Sequence, residues 1–498
     1  MKSWWGPEGG DPQAKQGIHA AQDENQSSND EKENSKSSRN PAEFYRVKPV
    51  LDRRIHVLGM GNVGKFIAHS LRSIVPNPPP VTIIFHEPQM LSDWEASRQR
   101  LNLVTDGDTE FREGFEAELA RLRSRSNLKE GQQTNTGNAF PEASGEQAQV
   151  QESEVQEGES SEPINSLILC TKATQIYQAL SSVKHRLHPE SVILFLQNGM
   201  GVVEAVNKEV FPDPATRPHY MVGINSHGMH GVLNDPFTTV HAGFGTISLG
   251  ILPHERDREP APYASQLKFK AQREAAPVKP AHAANPDPMA AEPAPVTFHW
   301  TPNHRYLLRT LLRAPVLGAT AYSPPDLLQM QLEKLAVNCI INPLTVMLDA
   351  RNGSILYNYN ITRVMRLLLS EISLVIRSLP ELQYIPNVQQ RFDPGRLETM
   401  VVGIANRTQD NISSMLADVR AGKQTEVDFI NGWVVKRGEE LGVRCLMNYM
   451  LACLVKGKRM MVELELEEGI PFVQPRANEG SLVVGEDVKR VNLDERKE

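Results

Sequence analysis

Lys334, Asn338 and Asn342 stand four residues apart in the segment QMQLEKLAVNCIINPLTVMLDARNG. Steps of four keep side chains on one face of a helix. A lysine and two carboxamides therefore form a polar stripe on a helix otherwise built from Leu335, Val337, Ile340, Ile341 and Leu344. Such a helix is expected to be mostly buried, and buried polar groups need partners. One cation and two amides, with no acid among them, suit the capture of a polar ligand. The plainer alternative is a helix edge facing water.

A second constellation lies near the start of the patterned sequence. The apolar run Ile55–Leu58 leads directly into Gly59-Met60-Gly61-Asn62-Val63-Gly64 and then into a helical pattern. In a strand–turn–helix context these glycines have mechanical jobs: Gly59 makes the tight turn, Gly61 lets backbone approach a pyrophosphate, and Gly64 lets the helix pack on the strand. The helix N-terminus then faces the phosphate. Gly59 through Gly64 are the expected dinucleotide contacts, with an ordinary glycine turn as the alternative. A second run, Val81–Phe85, ends at His86-Glu87, and Glu87 lies 23 residues beyond Gly64. An acid near this position bonds the ribose 2′-hydroxyl of NAD. His86, Arg98 and Arg100 are nearby cations for a 2′-phosphate, and a solvated turn acid is the plain alternative for Glu87. Lys172 follows Leu167–Leu169, and Asn198 follows Val192–Leu196 in QNGMG. Ligands of open α/β sheets gather at the carboxyl ends of strands, which makes both residues candidates; a surface lysine and a turn asparagine are the alternatives.

These residues need elements to hold them. From about 52 to 250 the chain is dominated by short apolar runs (RIHVLGM, VTIIFHE, NSLILCT, SVILFLQNG, HYMVGINSHG, FGTISLG). They are continuous more than alternating, as parallel strands covered on both faces are. Helices are expected at Val63–Ser73, Asp93–Leu103, Gln175–Leu187 and Val202–Val210. From about 303 to 470 the periodicity is helical. The expected fold class is α/β: a Rossmann-type doubly wound sheet over 51–252, then an all-α domain over 301–470. Residues 1–50 are polar and aperiodic and are expected to be disordered, as is a polar insertion at about 123–163. An Ala/Pro-rich stretch over about 253–300 is expected to be a surface loop or spacer, and the chain beyond 471 a loose tail.

Composition removes several classes. The 498-residue chain has a net charge of −7 and a pI near 6.1, so no basic excess draws it to nucleic acid or to anionic membrane. No apolar run reaches the length of a membrane span. The four cysteines, Cys170, Cys339, Cys445 and Cys453, stand singly in apolar contexts with no CxxC and no zinc spacing, and HExxH is absent. Buried thiols in a reducing compartment and no bound metal are the expectation. The opening MKSWWGPEGGDPQ lacks a signal-peptide core; a cytoplasmic location is expected, with mitochondria as the alternative.

Taken together, the segments LGMGNVG, LILCTKATQ, LFLQNGMGVVE, VGINSHGMHG, EKLAVNCIINPLTVMLDARNG and SSMLADVRAGKQTEVDFINGWVVKRGEELGV resemble the ketopantoate reductase (2-dehydropantoate 2-reductase) family, in particular its longer fungal members. The resemblance spans about Arg54–Met450 outside the polar inserts. It implies an N-terminal Rossmann domain, a helical C-terminal domain and an active site in the cleft between them. It implies reduction of the 2-keto group of ketopantoate by NADPH to give pantoate, on the way to pantothenate and coenzyme A. By the same resemblance Lys334 is the catalytic lysine, a general acid at the ketone oxygen, and Glu426 its acidic partner. Asn338, Asn342, Asn352 and Ser414 are implied substrate contacts, and Lys172 and Asn198 lie on the cofactor side. A ketone accepting hydride develops alkoxide charge, which a desolvated ammonium both stabilises and protonates. The family usually carries a basic residue after the second strand, where Glu87 stands here, so NADP(H) is the expected cofactor with NAD(H) as the alternative. A small keto acid is the expected partner, and a homodimer is compatible with it. The competing readings are a reductase of another 2-keto acid and a non-catalytic regulatory or binding protein that keeps the fold.

Overall fold

The structure, a computed structural model, describes residues 53–120, 158–254 and 300–467. The expected tails, the Ala/Pro-rich stretch and most of the polar insertion fall outside the described residues. The chain divides into two compact units, Met1–Gln331 and Leu332–Glu498. The division lies inside the lysine helix, later than a boundary at 301, because the helix Pro302–Leu312 and a short strand at Ala319–Ala321 pack into the first unit.

The first unit contains β1 (Ile55–Leu58), β2 (Val81–Phe85), β3 (Leu101–Thr105), β4 (Asp108–Arg112), β5 (Phe115–Leu119), β6 (Ile164–Leu169), β7 (Leu187–Phe195), β8 (His219–Asn225), β9 (Gly228–Val232), β10 (Asp235–Gly243), β11 (Ile247–Ile251) and β12 (Ala319–Ala321). Eight of them form one sheet in the order β12-β11-β8-β7-β6-β1-β2-β5. From β5 to β8 every pairing is parallel, and those six strands follow the 3-2-1-4-5-6 order of a Rossmann sheet. β11 runs antiparallel to β8. All residues of β1 and β2 are buried, as the unbroken apolar runs require of strands covered on both faces.

The other four strands form a separate sheet, β4-β3-β10-β9, which sequence reasoning missed. Its chain positions interrupt the Rossmann order: β3 and β4 fall between β2 and β5, and β9 and β10 between β8 and β11. The expected helix Asp93–Leu103 is corrected accordingly. The helix spans Pro88–Ala96, opens on Pro at its first position, and gives way to β3, whose Leu101 and Leu103 alternate inward. The helix Asn62–Arg72 packs against both sheets. Its Phe66 lies in the main apolar core with Ile55, Val57 and Ile83, and its Lys65 ammonium donates to the carbonyls of Pro236 and Thr238 at 3.0 and 3.1 Å. The end of the polar insertion is tied down: the Leu119 N–H donates to the Gly158 carbonyl at 2.8 Å.

The second unit is helical. After the lysine helix, Pro324–Leu348, come Tyr359–Arg377, Val388–Arg391, Pro394–Arg407, Ser414–Arg420, Asn431–Glu440 and Leu446–Glu467. Asn358, Asp393 and Ser413 cap the helices that follow them. Buried Glu333, next to the lysine, takes Arg391 at 2.9 Å and Arg396 at 2.8 Å, which fixes the start of this unit's share of the lysine helix to two later segments.

Candidate active site

In the first unit the glycine turn behaves as its sequence implies. Gly59 has φ +100°, and a Cβ there would stand 2.6 Å from the Thr171 nitrogen. A Cβ on Gly64 would stand 2.1 Å from the Gly59 carbonyl oxygen. Gly61 is different: a Cβ there meets nothing within 4 Å. Two glycines are thus required by packing, and the middle one by nothing among the described residues. An open glycine at the uncapped start of the helix Asn62–Arg72 fits the approach of a pyrophosphate. The turn sits where β1 neighbours both β2 and β6, the point where strand order reverses.

Glu87 precedes the helix Pro88–Ala96 at the end of β2; it is exposed and lies 3.2 Å from His86 Nε2. Lys172 and Asn198 are half-buried in the loops after β6 and β7. Gln197, to which sequence reasoning gave no role, joins these loops: its amide donates to the carbonyls of Leu169 and Thr171 at 2.8 and 3.0 Å. Met60, Asn62 and Val63 belong to the turn and the first helical residues, and Asn62 reaches towards Gly231 of β9.

In the second unit the polar stripe is literal. Lys334, Asn338 and Asn342 are each half-buried, whereas Leu335, Val337, Cys339, Ile340, Ile341 and Leu344 around them are buried. Burial lowers the Lys334 ammonium from its ordinary 10.5 to about 8, and the charge of Glu426 pulls it back up. The stripe's missing counter-charge therefore comes from another segment, the turn before the helix Asn431–Glu440. A lysine with a value near 8 is protonated at neutral pH and gives up its proton readily.

The remaining expected contacts are held near this helix. Ser414 is exposed at the first position of its helix, and Ser413 is the buried cap, accepting from the Leu416 N–H at 3.1 Å. The Ser413 hydroxyl also bonds Thr345 at 2.7 Å, and Thr345 donates to the Asn342 carbonyl at 2.8 Å. Ser414 is thereby fixed relative to the turn that carries Asn342. Asn352 is buried; its amide donates to Thr408 at 3.0 Å and its N–H to the Asn411 carbonyl at 3.0 Å. Its nitrogen thus latches the loop beyond the lysine helix to the loop before Ser413. Sequence reasoning also passed over Asn431 and Asn448, both fully buried and hydrogen-bonded to each other at 3.0 Å.

Comparison with known proteins gives one family twice. Residues 55–254 match the description "Ketopantoate reductase PanE/ApbA", and residues 326–459 its C-terminal counterpart. A "Probable 2-dehydropantoate 2-reductase" of Schizosaccharomyces pombe is 24% identical over 410 residues, covering 82% of this chain and 97% of that protein. A "Ketoisovalerate reductase" of Gibberella fujikuroi is 23% identical over 426 residues, covering 78% of this chain and 79% of that one. Among solved structures, a PanE/ApbA family ketopantoate reductase of Ralstonia eutropha superposes with a TM-score of 0.53 at 17% identity, over 82% of this chain and 99% of that chain, which bears on the fold.

Proposed function

The chain belongs to the ketopantoate reductase family, and from that premise we propose that it reduces the 2-keto group of ketopantoate to pantoate with NADPH, a step that feeds pantothenate and coenzyme A synthesis. The carrying observation is the half-open stripe of Lys334, Asn338 and Asn342 on an otherwise buried helix, with Glu426 acting on the lysine.

Bound nicotinamide supplies the hydride; the rest is the work of this chain. Lys334 donates a hydrogen bond to the ketone oxygen and delivers a proton to it as alkoxide charge develops. Glu426 keeps the lysine protonated at neutral pH and orients it. Asn338 and Asn342 hold the substrate's polar groups, with Asn352 near them, and Ser414 takes the carboxylate at a helix N-terminus, where negative charge is favoured. On the first unit, the glycine turn from Gly59 to Gly64 holds the pyrophosphate, with Met60, Asn62 and Val63 in its wall. Lys172 and Asn198 serve the nicotinamide side. Glu87 stands where an acid accepts a ribose 2′-hydroxyl, so NADH is the second reading for the reductant.

A different 2-keto acid is the second reading for the substrate, favoured by the similarity to a ketoisovalerate reductase. The two acids differ by a hydroxymethyl group, and a site built to bond that hydroxyl rejects a substrate lacking it. Among the described residues no helix is long and apolar enough to cross a membrane; a cytoplasmic location and a homodimer belong to the proposal.

The test follows nicotinamide oxidation with ketopantoate and with ketoisovalerate, using NADPH and NADH, beside a Lys334→Ala control. Turnover of ketopantoate that collapses in the control supports the assignment. Faster turnover of ketoisovalerate shifts it to the second reading, and no turnover of either acid by folded, nucleotide-binding protein refutes it. The ratio of cofactors decides the role of Glu87.

A further inference from the structure

The lysine helix contains Pro343, and a proline inside a helix has no N–H for the carbonyl four residues earlier. That carbonyl belongs to Cys339, which is fully buried. Leaving such a buried carbonyl unpaired is costly. Here it is not unpaired: the side-chain amide of Asn431 donates to the Cys339 carbonyl at 3.0 Å. The second hydrogen of the same amide goes to Asn448 Oδ1 at 3.0 Å. Asn448 in turn donates to Glu371 at 2.8 Å and to the Leu368 carbonyl at 3.3 Å. Glu371 accepts from the N–H groups of Met447 and Asn448 at 2.9 and 3.0 Å, closing the start of the helix Leu446–Glu467. One chain of buried and half-buried polar contacts thus ties four helices together and ends on the carbonyl that Pro343 leaves without a helical donor.

Cys339 lies between Asn338 and Asn342, one residue after the first and three before the second. Whatever fixes its carbonyl fixes the helical turn carrying both carboxamides. We propose that Asn431 is a positioning residue of the keto-acid site: it replaces the backbone donor that Pro343 removes and so sets the turn that presents Asn338 and Asn342. This rests on the assignment of those two asparagines to the substrate. The place needs a hydrogen-bond donor. An aspartate of the same shape would set a carboxylate oxygen against the Cys339 carbonyl, and alanine would leave that carbonyl and Asn448 Oδ1 both open.

The prediction that separates positioning from general stability is a coupling with Pro343. Alanine at 343 brings back an N–H four residues after Cys339, so the carbonyl no longer depends on Asn431. The experiment compares wild type, Asn431→Ala, Pro343→Ala and the double variant, measuring KM and kcat for ketopantoate and the urea midpoint of each. Asn431→Ala alone is expected to raise KM about tenfold, with a smaller change in kcat. The alkaline limb set by Lys334 is expected to stay in place, and most of the KM loss to vanish in the Pro343→Ala background. Asn431→Asp is expected to resemble Asn431→Ala despite its shape. Equal effects of Asn431→Ala with and without Pro343, or a lowered midpoint with unchanged KM, would overturn the proposal. If wild type neither binds nor reduces 2-keto acids, it is the functional assignment that fails; coupled urea midpoints would then still establish the carbonyl pairing, and additive midpoints would overturn it as well.

Discussion

Replacing Lys334 with methionine is expected to stabilise the fold while abolishing reduction. Methionine keeps a flexible apolar stem and removes the charge. Burial lowers the Lys334 ammonium from 10.5 to about 8 even with Glu426 opposing it, so below pH 8 the folded protein carries a charge it holds less comfortably than the unfolded chain does. Each pKa unit corresponds to about 1.4 kcal/mol, which for the whole shift gives about 3 kcal/mol. Lys334 is only half-buried, and solvent screening reduces the expected gain to about 1–3 kcal/mol. The gain has a defined pH dependence. At pH 7 both folded and unfolded wild type are protonated at this lysine and the cost is present in full. Between pH 8 and pH 10.5 the folded lysine releases its proton before the unfolded one, so wild type recovers relative to the variant, and above that range the difference disappears. Urea denaturation of both proteins at pH 7 and pH 10.5 measures this, and ketopantoate turnover at pH 7 measures the loss, expected to be at least about a hundredfold for removal of a general acid. A variant no more stable than wild type at pH 7, or a difference that does not shrink with pH, would show that Lys334 is not held desolvated and would remove the physical basis for its acid role.

Three further outcomes follow from the geometry. Gly61→Ala is expected to leave the melting temperature unchanged and weaken NADPH binding measured by fluorescence titration, whereas Gly64→Ala, with its Cβ 2.1 Å from the Gly59 carbonyl oxygen, is expected to disrupt the turn and lower the melting temperature itself. Glu426→Gln removes the charge that raises the Lys334 value, so the alkaline limb of the kcat/KM profile is expected to move to lower pH; an unmoved limb would exclude Glu426 as the lysine's electrostatic partner. Ser413→Ala removes a helix cap and the bond to Thr345, with an expected loss of about 1–2 kcal/mol in urea denaturation and a raised KM through displacement of Ser414.

What was legible in the sequence is what short-range spacing encodes. The steps from Lys334 to Asn338 to Asn342 place three side chains on one helical face whatever surrounds them, and the strand, glycines and helix at 55–72 form one local unit. Five of the six parallel strands announced themselves as unbroken apolar runs, and the sheet matched the expected fold class; β5, which buries fully only its two ends, did not. The second sheet did not. β4 is almost wholly exposed, so it lacks the apolar run that marks a covered strand, and β10 meets β3 only through long-range pairing. The expected helix Asp93–Leu103 ran through a break: the helix ends at Ala96, and the Ser97 hydroxyl turns back to the Trp94 carbonyl at 2.6 Å.

The site divides along the same line. The residues proposed for chemistry stand in recognisable segments, while the residues that hold them in place do not. Gln197, Glu333, Ser413, Asn431 and Asn448 act through partners 17 to 92 positions away, and nothing in their immediate neighbours predicts those partners. One exception could have been reasoned forward. A proline in the middle of a buried helix guarantees an orphaned carbonyl at Cys339 before any coordinates are known, and a buried carbonyl must find a donor. The sequence could therefore have said that some donor outside the helix's own ladder comes to Cys339, without saying which. Only the fold identifies it as Asn431, at the head of a helix beginning 92 residues later. That gap between knowing a partner must exist and knowing its number is the part of the active site that tertiary structure supplies.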